Sequence, residues 1–395
     1  MKVLQVNATY GLGSTGTIVR DLKHCCEAKG IECHVAYAKT SEMVDGGYKI
    51  GNWFFNKLHA LLSRIAGKQA YFSYLPTLRF IRYIKNLQPD VVHLHNLHAN
   101  YINLPMLLKY LAKNDIRTII TLHDCWWYTG GCFHYTAAGC NKWLDKCGNC
   151  PKRTADTPAY LCDRSAKILD DRKRLLLSIP RLTVIGVSEW ISNEARKSFL
   201  ASKEIKTIRN GIDLTVFKPT SSDLREKLGL EGKYVILGPA SKWLDPINKE
   251  VLDYFTTNMN SDEVLLLFGA EKTDIALPAN VKLYGYTRDK HELAALYTMA
   301  DVFVNCTRED TLPTINLEAQ ACGCKVITFG VCGASETVDG LYSHYVKISN
   351  PDLLYEFASV DVEIDKAMLR MYMCGTFSKD NYHTYIELFA KSLKE

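Results

Sequence analysis

Residues 300–338 read ADVFVNCTREDTLPTINLEAQACGCKVITFGVCGASETV. The apolar run Val302–Asn305 predicts a buried strand, Cys306–Pro313 a polar loop, Thr314–Cys322 a helix and Lys325–Phe329 a second buried strand. A loop that opens a helix leaves backbone N–H groups of the first turn without partners, and these suit phosphate oxygens. Two carboxylates bracket the turn. Asp310 precedes it and Glu318 follows eight residues later, about two helical turns on and on the same face. Carboxylates suit sugar hydroxyls, so one element offers both chemistries that a nucleotide sugar needs. By spacing alone, a plain strand–helix–strand unit with acids near a helix start reads equally well, because acids favour that end of the dipole.

Working outward, the same alternation runs through the chain. Val3–Asn7, Cys33–Ala38, Val91–His95, Thr118–Asp124 and Leu182–Val187 read as short buried strands, with helical patterns such as Thr17–Lys29 between them. A second series follows at Tyr234–Leu237, Val264–Gly269, Val281–Tyr284, Val302–Asn305 and Val326–Phe329. Strands alternating with helices predict parallel sheets covered on both faces, which bind ligands at the carboxyl ends of their strands. The glycines at 11, 13 and 16 sit in such a place, with Gly13 a candidate donor contact, although a tight turn needs glycine anyway. The stretch Ile208–Pro219, with turn chemistry at Asn210-Gly211, reads as an interdomain linker. The expected division is residues 1–207, then 208–376, then a terminal segment 377–395, whose helix (Lys379–Leu393) returns to the first domain.

A chain of 395 residues is too long for one ordinary core. With 47% hydrophobic and 23% charged residues it has the composition of a soluble globular protein. A net charge of +5 implies no nucleic-acid partner and is compatible with anionic substrates or an anionic membrane surface. The start, MKVLQVNATYG, lacks the regions of a secretory signal, and no run is long enough to cross a bilayer, so a cytoplasmic location is expected. Fourteen cysteines there imply buried thiols or a metal site rather than disulfides.

Cys132, Cys140, Cys147 and Cys150 fall in an insertion at residues 125–151 that looks short of a core of its own. Their pattern has the shape of a structural Cys₄ zinc site, with Cys125 and His134 as rival ligands and a first spacing wider than a zinc knuckle. Such a closed site would be structural, not catalytic. His93 and His95 share a strand face, so they suit a metal pair, the acceptor side of a site, or simple packing. The segment Trp53–Lys85 mixes aromatics with Lys57, Arg64, Lys68, Arg79, Arg82 and Lys85. It reads either as helices lying on an anionic membrane or as two helices packed on the sheet with cations outward.

The chain resembles the family 4 retaining glycosyltransferases of the GT-B fold, in which two Rossmann-like domains with parallel sheets face a central cleft. The resemblance spans nearly the whole length. It is carried by VSEWIS (187–192), NGID (210–213), LYTMADVFVNCTRED…LEAQACGCKVI and GASETV, in that order. HLHNLH (93–98) and LHDCWWYTGGC (122–132) are similar to the bacterial exopolysaccharide, capsule and colanic-acid branch. The resemblance implies transfer of a sugar from a nucleotide diphosphate to a carbohydrate acceptor, polyprenyl-diphosphate-linked in this branch, with no cofactor required for catalysis. It implies that Asp310, or Glu309 beside it, contacts the donor sugar and that Glu318 holds the ribose. The amides across Thr311, Leu312, Pro313 and Thr314 would meet the diphosphate, together with Lys249 and Lys242. His123 would approach the transferred sugar, and His95 and Asp124 would line the acceptor side. Competing classes are another GT-B enzyme, an epimerase or phosphorylase, and a zinc-stabilised glycan-binding protein without chemistry.

Overall fold

The computed structural model describes residues 1–156, 158–348 and 350–391. The chain divides into two compact units, residues 1–210 with 380–395 and residues 211–379.

The first unit is built on a seven-stranded sheet. Its strands are β1 (Lys2–Tyr10), β2 (Glu32–Thr40), β3 (Gly47–Lys49), β4 (Val91–Leu94), β5 (Arg117–Leu122), β6 (Leu182–Gly186) and β7 (Glu204–Thr207). They lie in the order β3-β2-β1-β4-β5-β6-β7, and every pair is parallel. The order reverses between β1 and β4, the switch point at which open α/β sheets leave a crevice. Val3, Ile18, Leu22, Val91, Ile119 and Ile185 form one core cluster with Tyr382, Tyr385, Leu388 and Phe389 of the last helix, Asn381–Lys391. That helix therefore belongs to the first unit; the sequence reading took it to Leu393, whose end lies outside the described residues.

Gly11, Gly13 and Gly16 follow β1 in G-x-G-x-x-G spacing and open the helix Gly13–Ala28, four residues earlier than the periodicity suggests. Gly11 and Gly13 both have φ of +67°, which explains glycine there without a ligand. A Cβ on Gly11 would lie 2.2 Å from Glu42 Oε1, whereas nothing approaches one on Gly13 within 4 Å.

The second unit has six parallel strands: β8 (Tyr234–Pro239), β9 (Glu263–Phe268), β10 (Val281–Tyr284), β11 (Val302–Asn305), β12 (Lys325–Phe329) and β13 (His344–Val346). Their order is β10-β9-β8-β11-β12-β13, so this sheet also has its switch point, between β8 and β11. Ile236, Trp243, Phe255, Leu265, Val302, Val304 and Ile327 fill its core. The stretch read as an interdomain linker contains the boundary between the units and is packed from residue 211 onward. Ile212 N donates to Phe377 O (2.9 Å), Phe217 is buried, and Arg370 donates to the carbonyls of Leu214 (2.6 Å) and Phe217 (3.0 Å). A Cβ on Gly211 would lie 2.4 Å from Ser378 O, so only glycine lets these two strands of chain run side by side.

Candidate functional site

In the second unit, the loop after β11 enters the helix Thr314–Ala321 at the switch point. A fully buried amide network holds its shape. Asn305 Nδ2 donates to Asn316 Oδ1 (2.8 Å), Asn316 Nδ2 to Thr337 Oγ1 (2.9 Å), and Thr307 N to Asn305 Oδ1 (3.2 Å). Gly333 N donates to Asp310 O (3.1 Å), so the GASETV segment directly braces the acidic loop. Buried polar groups satisfied this completely fix one geometry. The sequence reading passed over Asn305, Asn316, Gln320 and Thr337 because uncharged amides carry no charge pattern.

Asp310 lies before the helix rather than on it, so helical spacing does not put it on the face of Glu318, as the sequence reading held. Its Oδ1 accepts from Leu312 N (3.1 Å), which takes that amide away from any ligand. Pro313 has no N–H. Thr311 is buried, with Oγ1 lacking a partner. Of the expected run of amides, that of Thr314 has no acceptor among the described residues; with that of Ile315, outside the expected run, it forms the open end of the helix. Glu309 stands in the same loop, and its carbonyl accepts from Thr307 Oγ1 (3.1 Å).

Glu318 sits one turn inside that helix, half-buried. Burial pushes its carboxyl up to about 7, opposed by the Lys290 ammonium and by hydrogen bonds from Tyr297 and Thr314. Tyr297 OH lies 3.4 Å from Oε2. A carboxyl this desolvated in a functional segment is poised to be ionised by a ligand that donates hydroxyls to it. Lys290 and Tyr297 come from the helix Lys290–Met299; Tyr297 falls in the quoted LYTMADVFVNCTRED motif without a role read for it, and Lys290 falls in no quoted motif.

The cations divide. Lys242 stands on the short helix Ala240–Trp243 at the end of β8; Trp243 Nε1 donates to Val304 O (3.0 Å) and clamps that turn against β11. Gly238 permits the clamp, since a Cβ there would lie 2.0 Å from the indole nitrogen. Lys242 and Arg308 both act on buried Cys306 beside the loop. Lys249 begins the helix Lys249–Asn258, is 73% exposed and pairs with Asp253. Its neighbour Asn248 is buried and accepts Arg308 Nε through Oδ1 (2.6 Å). Arg308 also faces the Phe329 ring at 5.1 Å. It is the guanidinium of this loop, and the sequence reading, looking for a pair in the first loop of the unit, missed it.

In the first unit the histidines gather at the carboxyl ends of β4 and β5. His123 Nε2 lies 3.0 Å from His95 Nδ1, and His95 Nε2 lies 3.1 Å from Gln5 Oε1. His93 Nε2 meets Thr121 Oγ1 (2.7 Å), which meets Tyr385 OH (3.2 Å). Burial pulls His93 down to about 3 and His123 to about 4, so these imidazoles are neutral at physiological pH.

Two assignments change. His95 is 1% exposed with both ring nitrogens engaged, so it cannot touch an acceptor. Asp124 is buried; Oδ2 meets His98 Nε2 (3.1 Å) and Oδ1 accepts from Trp126 N (2.8 Å), capping the turn Cys125–Tyr128. It anchors the loop that follows His123. His123 itself remains partly exposed.

The cysteine-rich insertion has a core after all. Trp126, Trp127, Tyr128, Tyr135 and Trp143 are buried, with Tyr135 and Trp143 rings 4.7 Å apart. The Arg172 guanidinium lies 3.7 Å from the Trp126 ring and donates to Thr129 O (2.7 Å). Among the described residues no three Cys, His, Asp or Glu side chains converge to hold a metal ion. Cys132, Cys140, Cys147 and Cys150 therefore do not fit zinc in this structure. Burial pushes the Cys132 thiol up to about 12 and Cys147 to about 11, which favours the neutral thiol.

Comparison with known proteins agrees with this architecture. A curated relative, WcaC of Escherichia coli K12, assigned to colanic acid biosynthesis as a glycosyl transferase, is 24% identical over 348 residues, covering 83% of this chain and 82% of WcaC. Sucrose-phosphate synthase from Thermosynechococcus elongatus superposes with a TM-score of 0.69 at 15% identity, covering 99% of this chain and 98% of that one. HepE from Anabaena, solved in complex with UDP and glucose, gives 0.61 at 15% identity, covering 99% and 100%. At these identities the structures show the fold, two Rossmann-like domains of the GT-B type. The model of Glycosyl transferases group 1 matches residues 251–359, around the acidic loop, and that of Glycosyltransferase Family 4 matches residues 15–216. The chain belongs to Glycosyltransferase Family 4 and is a glycosyltransferase.

Proposed function

We propose that this enzyme moves a hexose from a nucleoside-diphosphate sugar to a hydroxyl of a lipid-linked oligosaccharide, with retention at the anomeric carbon, in bacterial surface polysaccharide synthesis. The observation that carries the reading is Glu318: a desolvated carboxylate one turn inside a helix whose first amides are open, at the switch point of its sheet. Ribose hydroxyls donate to that carboxylate and diphosphate oxygens take the amides of Thr314 and Ile315. WcaC supports the pathway by its assignment, and HepE supports a nucleotide-sugar donor by its bound UDP and glucose.

Asp310 or Glu309 reads the donor sugar. Lys242, Arg308 and Lys249 stabilise the charge that develops on the departing diphosphate, Lys249 exchanging Asp253 for phosphate. His123 accepts a hydrogen bond from a hydroxyl of the transferred sugar. Retention follows from attack on the face that the diphosphate leaves, with a phosphate oxygen taking the acceptor proton. A panel of nucleotide sugars tested by thermal shift identifies the donor, since only the true donor stabilises the fold appreciably. Anomeric NMR of the product then tests retention; an inverted product contradicts the mechanism. Activity is expected to survive EDTA.

The acceptor's lipid is supported by the helix Trp53–Ala66, which buries only His59 and Ser63. Phe54, Leu58, Leu61 and Ile65, spaced i, i+4, i+7, i+11, are exposed together with Trp53, and Lys57 and Arg64 flank them. This helix thus turns its apolar side outward, contrary to the packed reading. The next helix, Tyr74–Leu87, adds exposed Tyr74, Leu75 and Leu78 beside Arg79, Arg82 and Lys85. An apolar stripe ringed by cations fits an anionic bilayer surface. Among the described residues no helix is long and apolar enough to cross a membrane. Flotation with phosphatidylglycerol vesicles tests the patch: salt-sensitive binding lost in a Phe54→Ser, Leu58→Ser, Leu61→Ser variant supports it, and no binding by the wild type removes it.

A further inference from the structure

The first unit contains a buried hydrogen-bond relay whose outer end is His123. Gln5 is fully buried on β1, and its amide has one possible orientation: Nε2 donates to Val19 O (3.2 Å) and to Cys33 Sγ (3.3 Å), and Val19 O can only accept. Oε1 therefore faces His95 Nε2, which must carry the proton. A neutral His95 then presents a lone pair at Nδ1, and His123 Nε2 must donate to it. The lone pair of His123 is left on Nδ1. His95 cannot swing out of this chain, because its N–H donates to Val6 O (2.9 Å) and its carbonyl accepts Trp127 Nε1 (3.0 Å).

We propose that Gln5 is a positioning residue: acting through His95, it fixes the tautomer of His123 so that Nδ1 is a hydrogen-bond acceptor for a sugar hydroxyl. This rests on the reading of His123 as the sugar-facing group, but the tautomer itself does not. The surroundings keep all three groups neutral. The titratable groups facing them are Cys33 on β2, His93 on β4, His98 on the following loop and Asp124 after β5, and Asp124 is already engaged by His98 and Trp126 N. His123 is consequently pulled down, with desolvation the chief cause. An acceptor nitrogen with no charge can bind a hydroxyl without competing for the cations that the diphosphate needs.

The test is ¹⁵N NMR of the imidazoles in the nucleotide-free protein, with His123 assigned by loss of its signals in His123→Gln. The relay predicts an Nε2–H tautomer at His123 in the wild type; an Nδ1–H tautomer there overturns it without recourse to any other variant. Gln5→Glu keeps an acceptor for His95 and, with its buried carboxyl held neutral, keeps an O–H donor for Val19 O, so the tautomer persists and kcat falls less than about threefold. Gln5→Met removes the acceptor, frees the tautomer and lowers kcat about tenfold, with KM for the donor little changed. Equal losses of kcat in both variants mean that Gln5 only packs, and the proposal fails. A tautomer freed by Gln5→Met with kcat unchanged upholds the relay and instead removes His123 from contact with the sugar.

Discussion

The two units place their polar groups at equivalent points of similar sheets, yet one keeps them neutral and the other charged. The first unit puts imidazoles at its strand ends and buries them until they are neutral. The second puts carboxylates and cations there, and holds one carboxyl, Glu318, close to half-ionised. Under the proposed function, neutral groups suit a hexose and charged groups a nucleoside diphosphate. A hexose has only neutral hydroxyls, which neutral acceptors and donors read without a desolvated charge. A nucleoside diphosphate brings two negative charges or more, for which charged partners and an open helix end are needed.

The sharpest way to break this contrast is Glu318→Ala. Losing hydrogen bonds from two ribose hydroxyls to a charged group should weaken nucleotide binding and kcat/KM by about 10²- to 10³-fold; a change below threefold in a calorimetric titration would contradict the assignment. Next in size, Lys249→Ala should lower turnover about 10²-fold, while its exposed pair with Asp253 adds little to stability and the melting temperature stays nearly constant. His123→Ala should lower kcat about 10- to 100-fold and leave nucleoside diphosphate binding alone, because the sugar and not the nucleotide is its partner.

The smallest effect is on stability and has the opposite sign to the effect on function. The Glu318 carboxyl is raised from 4.5 to about 7, so the folded state holds the proton more tightly than the unfolded one, and stability falls as pH rises through that window. Glu318→Gln removes this cost, about 1–3 kcal/mol after allowance for its partial exposure. The variant should melt roughly 2–6 °C higher than the wild type at pH 8 and no higher at pH 4, as scanning calorimetry would show.

Central strands were legible because parallel strands buried on both faces are nearly continuous apolar runs: Val302–Asn305, buried throughout, matches its predicted bounds. Of the four edge strands only Val281–Tyr284 was read; the other three were not. Gly47–Lys49, Glu204–Thr207 and His344–Val346 are short, polar and half-exposed, and only pairing with a neighbour makes them strands. In the candidate site, Glu318 was proposed from its spacing and the family resemblance, and His123 from its strand end and that resemblance. Arg308, Lys290, Tyr297 and Gln5 could not be found that way, because each earns its place through a partner at least 21 residues away or on another element, as with Tyr297 and Glu318 or Gln5 and His95. His95 and Asp124 misled for the converse reason: polar residues at strand ends look available until their own hydrogen bonds are seen.

The central claim, that Glu318 is the ribose carboxylate of a nucleoside diphosphate site, is tested most directly by titrating UDP and GDP into the wild type and Glu318→Gln from pH 6 to pH 8. The account predicts that the better-bound nucleotide gains affinity in the wild type as pH rises through about 7, with protons released on binding, and that the variant binds weakly and without that dependence. Equal affinities and flat profiles in both proteins would contradict it.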